Sequence, residues 1–115
     1  MTIDDFEAYA KRIGLTVEIV KGGDELPYTV IRNARVTTGA LAGQTCDVAI
    51  RREEAVPFIV PAAIHTRPAM VTMGTLSTQA SPIGPEWQYW SRRFEHPVTP
   101  VNLWLHILTV LGEVP

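Results

Sequence analysis

The chain has 115 residues with 46% apolar side chains, which suits one compact domain built around a single core. Its 10 basic and 12 acidic residues give a formal charge of −2, which lacks the dense basic face that nucleic-acid binding requires. The lone cysteine excludes an internal disulfide. Because there is also no signal-peptide pattern and no long apolar run, we predict a single cytoplasmic domain over residues 1–115, with no membrane contact.

The first predicted element is an amphipathic helix over residues 2–13. Thr2 followed three positions later by Asp5 is a variant of the capping box, in which each residue bonds the backbone of the other. Gly14 favours the left-handed conformation that ends a helix. One apolar stripe at helical spacing consists of Ile3, Phe6, Ala10 and Ile13.

Several strands are predicted to follow the helix. The first three cover residues 15–20, 28–36 and 44–51, and a short fourth is placed at 69–76, after a proline-rich crossing at 56–68. Consecutive strands joined by short connections predict an antiparallel meander.

A long ordered loop is predicted over residues 77–98, because turn formers alternate there with aromatic side chains that need burial. Trp87 and Trp90 are expected to cover one side of the sheet and to donate their indole N–H groups to loop carbonyls. Arg92 is expected to fix the loop through carboxylate or carbonyl groups.

A C-terminal helix completes the predicted α+β fold. Thr99 is a good cap, Pro100 suits the first helical position, and Gly112 ends the helix. The apolar face is wide, which indicates a well-buried helix or one with a partner surface. Its main stripe consists of Val101, Trp104, Leu105, Leu108 and Leu111, widened by Leu103, Ile107 and Val110.

Two patterns carry a resemblance to a known family. The segment PFIVPAAIHTRPAM has spaced prolines, Pro61 and Pro68, and the motif WxxWSR (Trp87, Trp90, Ser91 and Arg92) precedes the last helix. Together with the order helix, four-strand meander, long loop and helix, they resemble ubiquitin-conjugating (UBC-like) domains. The subfamily most similar is the prokaryotic one called family E, and the resemblance spans roughly residues 44–115.

The resemblance implies a component of a bacterial ubiquitin-like protein conjugation pathway, with a ubiquitin-like modifier and its activating enzyme as partners. Relatives use a cysteine after the fourth strand as a thioester-forming nucleophile. This chain has no cysteine between Leu76 and Trp104 and no His-Pro-Asn element. We therefore expect a non-catalytic binding module or a carrier that forms a Ser/Thr ester.

A hydroxyl nucleophile needs a neighbouring base. The candidate hydroxyls and bases are Ser77, Thr78, Ser81, Ser91, His65 and His96. Cys46 alternates with Val48 and Ile50, so we expect an inert core thiol. The histidine spacing fits no zinc site, and no cofactor or metal is expected. Alternatives are a structural protein that forms a homodimer through its last helix, or a small hydrolase using Ser81 or Ser91 with His96.

Overall fold

The computed structural model describes residues 1–115 and has two helices and one six-stranded antiparallel sheet. The elements in chain order are α1 (Ile3–Arg12), β1 (Thr16–Lys21), β2 (Pro27–Arg35), β3 (Thr45–Arg51), β4 (Ala63–Arg67), β5 (Thr78–Ala80), β6 (Gln88–Ser91) and α2 (Pro100–Gly112). The spatial strand order is β1-β2-β3-β4-β6-β5. Neither helix is long and apolar enough to cross a bilayer.

The helix ends follow the local signals in the sequence. Thr2 and Asp5 form both hydrogen bonds of the capping box on α1, and Gly14 after the helix has a φ of +93°. Thr99 accepts a hydrogen bond from the backbone N–H of Asn102, and Pro100 is the first residue of α2. These predictions are confirmed. They were possible from the sequence because each cap depends only on residues within one helical turn.

The first four strands form the predicted meander, but two parts of the strand prediction are wrong. The fourth strand lies at Ala63–Arg67 rather than 69–76, within the segment predicted as a crossing. The predicted loop over 77–98 contains β5 and β6, and β6 lies between β4 and β5. The sheet therefore has six strands instead of four, because backbone groups of the 77–98 segment pair with β4 rather than with loop partners.

Both helices pack on one face of the sheet, which we call the helix face. A cluster of 17 buried residues fills this layer, including Phe6 of α1, Ile107 of α2 and Trp90 of β6. The stripe predicted as the main apolar face of α2 is partly wrong. Val101 and Leu105 are about half exposed, while the core is filled by Leu103, Ile107, Val110 and Leu111.

The opposite face of the sheet, the pocket face, is covered by no helix. Residues 81–87, which connect β5 to β6, fold over it and bury a second, smaller cluster that includes Ile83 and Trp87. The sheet therefore separates a thick helical core from a thin, loop-covered layer, and the candidate site lies in this thin layer.

Candidate functional site

A serine and a histidine meet on the pocket face. Nδ1 of His65, in β4, lies 2.8 Å from Oγ of Ser81, which directly follows β5. The Ser81 hydroxyl also accepts a hydrogen bond from the backbone N–H of Ile83, at 3.1 Å. We therefore assign Ser81 as the donor to Nδ1, which leaves the ring proton of His65 on Nε2.

His65 is held as a neutral imidazole. Only 4% of the residue is exposed, and its ring contacts the edges of Tyr28 and Tyr89, each with centroids 5.3 Å away. Burial lowers the pKa of His65 to about 4, although the charge of Asp24 acts in the opposite direction. At neutral pH the ring is therefore unprotonated and able to accept a proton at Nδ1.

A cavity of about 260 Å³ opens beside this pair. Its floor is the pocket face, and its walls are the turn between β1 and β2, the segment before β4 and the loop after β5. The lining residues are Asp24, Leu26, Tyr28, Arg51, Pro61, Ala62, Ala63, His65, Pro82 and Tyr89. His65 thus lines this concavity, and Ser81 directly precedes the lining residue Pro82.

The acidic group of the cavity, the Asp24 carboxylate, is hydrogen-bonded within the protein. Asp24 accepts hydrogen bonds from the hydroxyl of Tyr28 at 2.6 Å and from the backbone N–H of Leu26 at 3.1 Å. Burial alone would raise the pKa of Asp24, but these bonds lower it below its usual value. Burial and the bond to Asp24 raise the pKa of Tyr28, so the phenol stays protonated and holds the carboxylate in place.

The other predicted hydroxyls form no hydrogen bond with a histidine. Ser77 is exposed with a φ of +57°, and its backbone carbonyl accepts the N–H of Ser91, whose side chain is also exposed. Thr78 is buried and donates its hydroxyl to the carbonyl of Thr75 at 2.6 Å. These three residues therefore have structural places in the β5–β6 hairpin.

His96 is not a partner of either serine proposed for a hydrolase. It is exposed, contacts the ring edge of Phe94, and lines a second cavity with Asn102, Leu105, His106 and Thr109. It forms no hydrogen bond with a serine, so the pair that the fold brings together is Ser81 with His65.

No group of three or more His, Cys, Asp or Glu side chains is arranged to hold a metal ion.

Cys46 packs in the main core with Val48 and Ile50, as its strand alternation predicts. Burial, with a contribution from Asp47, raises the pKa of its thiol to about 12. A thiol in this state is almost never ionised near neutral pH, which fits the prediction that Cys46 is inert.

The two indoles lie on opposite faces of the sheet, contrary to the prediction of one shared side. Trp90 is fully buried on the helix face, whereas Trp87 packs in the small cluster on the pocket face. Residues three apart in an extended chain point to opposite faces. The indole of Trp90 donates to the Thr66 hydroxyl at 3.0 Å, and not to a loop carbonyl.

Arg92 behaves as expected, because it bonds both a carboxylate and a carbonyl. Its Nε donates to Glu113 at 3.0 Å, and its Nη1 donates to the carbonyl of Ser91 at 2.7 Å. These bonds connect the end of β6 to the end of α2. Pro61 lines the cavity, and Pro68 directly follows β4.

Sequence reasoning missed most of the cavity wall. Tyr28, Arg51 and Tyr89 lie in three different strands, and the register pairs Tyr28 with Arg51 and Tyr89 with His65. Alternation alone places each residue on a face, but it does not give the partner strand. The misplaced fourth strand hid the position of His65 in the sheet, and therefore its neighbours.

The buried imidazole makes a prediction for the acid stability of the fold. The pKa of His65 is about 4 in the folded chain and near 6.5 when exposed. Between these values the unfolded chain binds a proton that the folded chain does not, so stability falls as the pH falls from 6.5 to 4. The expected loss is about 3 kcal/mol in the free energy of unfolding.

Urea unfolding at pH 7, 5.5 and 4 measures this loss, with a His65→Gln variant as the control. Burial also lowers the pKa of His106, but that group is present in both proteins and cancels in the difference. The gap in stability between the two proteins should narrow or reverse as the pH falls. Parallel pH profiles for the two proteins would contradict the assignment of His65 as a buried neutral base.

Comparison of the chain with protein-family models, with curated proteins and with solved structures gave no match. The description of the site therefore rests on the structure of this chain itself. The molecule is an α+β domain whose six-stranded antiparallel sheet has helices on one face and a serine–histidine pair beside a small cavity on the other.

Proposed function

We propose that this chain is a cysteine-free component of a bacterial ubiquitin-like protein conjugation pathway, in which Ser81 carries the modifier as an ester. The pathway and its partners, a ubiquitin-like modifier and its activating enzyme, come from the sequence resemblance. The choice of Ser81 is supported by the 2.8 Å contact between its hydroxyl and the free imidazole of His65. Among the candidate hydroxyls, Ser81 alone has a neighbouring base.

The proposed step is an acyl transfer. Oγ of Ser81 attacks the carbonyl carbon of the modifier's C-terminal thioester on the activating enzyme, and a C–O bond forms as the C–S bond breaks. The hydroxyl proton passes to Nδ1 of His65 and then to the departing thiolate, which leaves as a thiol. Because His65 is unprotonated above about pH 4, the rate should not fall between pH 7 and pH 5.5 from loss of this base.

The test is adduct formation with a bacterial ubiquitin-like modifier and its activating enzyme, in the presence of ATP. We expect an adduct that hydroxylamine or alkali cleaves and that thiols leave intact, because an ester resists mild thiol treatment. Ser81→Ala should abolish the adduct, and His65→Gln should slow its formation by about 10²-fold or more.

Three matched variants test two of the other candidate hydroxyls and the lone thiol. Ser77→Ala, Ser91→Ala and Cys46→Ala should each retain the adduct, because none of these side chains is hydrogen-bonded to a histidine. A thiol-sensitive adduct, or one that survives Ser81→Ala, would contradict the assignment. A measurable complex with the modifier but no adduct would instead favour the non-catalytic binding module.

A second candidate function, homo-oligomerisation, is favoured by the outer surface of α2. Val101 and Leu105 lie one helical turn apart and are about half exposed, and Trp104 between them is only partly buried. Light scattering of the wild type and a Leu105→Glu variant tests this surface. A dimeric mass that becomes monomeric in the variant would support assembly through α2, and a monomeric wild type would exclude it.

A further inference from the structure

We propose that the cavity on the pocket face is a binding site for a small carboxylate with a flat, apolar body, of about the size of benzoate. This inference goes beyond the proposed function and does not depend on it. The cavity volume of about 260 Å³ lies below the range of typical drug-sized sites, so the ligand is small.

The walls of the cavity are fixed in place by contacts between loops. The backbone N–H of Gly23 donates to the carbonyl of Ile83 at 2.8 Å, which joins the β1–β2 turn to the loop after β5. A Cβ at Gly22 would lie 2.5 Å from Oδ1 of Asp24 and 2.7 Å from Cε1 of Tyr28. The two glycines therefore allow a close approach that orders the walls, and a ligand would bind to a cavity that is already formed.

Two of the polar side chains that line the cavity, Arg51 and His65, are hydrogen-bond donors. Arg51 is half-exposed, and its one ion-pair partner, Glu53, lies 3.5 Å away at the outer end of the strand. Nε2 of His65 carries the ring proton and makes no hydrogen bond. It is not among the fully buried side-chain atoms that lack a hydrogen-bond partner, since the one such atom is Nε of Arg32, so Nε2 keeps some exposed surface. Nε2 is therefore open to the cavity.

A ligand with acceptor oxygens matches these donors. The carboxylate of Asp24 is the acidic group of the lining; each of its oxygens already accepts one hydrogen bond from within the protein, and the charge of Arg51 acts on it as well. A guanidinium is well suited to bind a carboxylate through paired hydrogen bonds. The charge of the ligand is therefore expected to lie at the half-exposed Arg51.

The remaining surface suits a flat, apolar body. The ring of His65 stands nearly perpendicular to both tyrosine rings, with interplanar angles of 78° to Tyr28 and 75° to Tyr89. The prolines Pro61 and Pro82 add further apolar lining. Aromatic and proline walls favour contact with a ring through dispersion and apolar burial.

Binding of benzoate, followed by protein NMR, tests this site. We expect saturable shifts in the resonances of His65 and Tyr89 with a Kd of about 1 mM, as suits a ligand of so few atoms. Benzamide has the same shape without the charge and should bind at least about tenfold more weakly. Arg51→Gln should weaken benzoate binding to a similar degree, because it removes the charge and keeps an amide donor.

Arg93→Gln is the matched control, because this arginine is exposed and lies outside the cavity lining. It should leave benzoate binding unchanged. The absence of saturable shifts at about 10 mM benzoate, equal affinity for benzamide, or shifts centred on His96 and His106 would overturn the proposal. A backbone NMR spectrum of the Arg51→Gln variant that matches the wild type would show that the variant folds. Benzoate binding does not require an adduct at Ser81, so failure of the adduct test would not affect the binding result.

Discussion

Replacing Trp90 with alanine should lower the free energy of unfolding by about 3–5 kcal/mol, which is a large share of the stability of a small domain. Trp90 is fully buried in the 17-residue cluster beneath both helices. Its removal leaves a cavity that the rigid sheet cannot close, and it leaves the hydroxyl of Thr66 without the indole that donates to it.

Urea unfolding of three proteins separates the contributions to this effect. Trp90→Phe keeps an aromatic ring but loses the N–H group and some volume, and it should cost about 1–2 kcal/mol. Ile59→Ala, at a side chain that is 67% exposed, should change stability by less than about 0.5 kcal/mol. If Trp90→Ala and Ile59→Ala had similar effects, Trp90 would not be the centre of the core.

The second large effect is expected at a buried ion pair that fixes α1 on the sheet. Glu7 of α1 accepts hydrogen bonds from Nε of Arg52 at 3.1 Å and from the hydroxyl of Thr29 at 2.6 Å. The side chains of Glu7 and Arg52 are only 10% and 11% exposed. Hydrogen bonds to Glu7, and then to Glu54, raise the pKa of Arg52, so this guanidinium stays charged.

Glu7→Ala should lower the free energy of unfolding by about 3 kcal/mol, because a buried charge and a buried hydroxyl lose their shared partner. Arg52 keeps bonds to Asp4 and Glu54, whose exposed side chains compensate for only part of the loss. Thermal or urea unfolding measures the change.

The matched control is Glu18→Ala, which removes a carboxylate from an exposed ion pair with Arg32 and should cost less than about 1 kcal/mol. The double variant Glu7→Met/Arg52→Met should be more stable than Glu7→Ala alone, because it removes both buried charges together. A loss at Glu7 no greater than at Glu18 would contradict the role of this pair in positioning α1.

The sequence was sufficient to predict those elements whose signals are local. The capping residues Thr2 and Thr99 marked both helix starts, and the alternation of Cys46, Val48 and Ile50 gave the buried face of β3. Each of these signals acts within a few residues. They needed no knowledge of which strand lies beside which.

Features that depend on distant pairing were not predictable in this way. β4 lies close to proline-rich segments and is buried on both faces, and β5 has only three residues, so neither presents a clear apolar–polar alternation. Trp87 and Trp90 face opposite ways because the chain is extended there, and that extension depends on the pairing of β6 with β4. His65 and Ser81 were both candidates, but their contact exists only because β6 and β5 fold back onto β4.

The buried network of Glu7, Thr29 and Arg52 was missed for a different reason. A glutamate on an amphipathic helix is ordinarily solvated, and burial of a carboxylate becomes favourable only when the tertiary fold supplies a cation and a hydroxyl. Arg52 lies 45 positions away along the chain, so no local pattern links the two residues.

The unequal covering of the two sheet faces makes this domain a practical scaffold for redesign. Most of the buried apolar side chains lie beneath the helices, while the side with the cavity is closed by a few loop contacts. Strand alternation lets every second residue of β4 and β6 be exchanged without replacing a side chain of the main core. A library restricted to Arg51, Ala63, Tyr89 and their neighbours around the cavity would therefore sample new chemistry at small cost to folding.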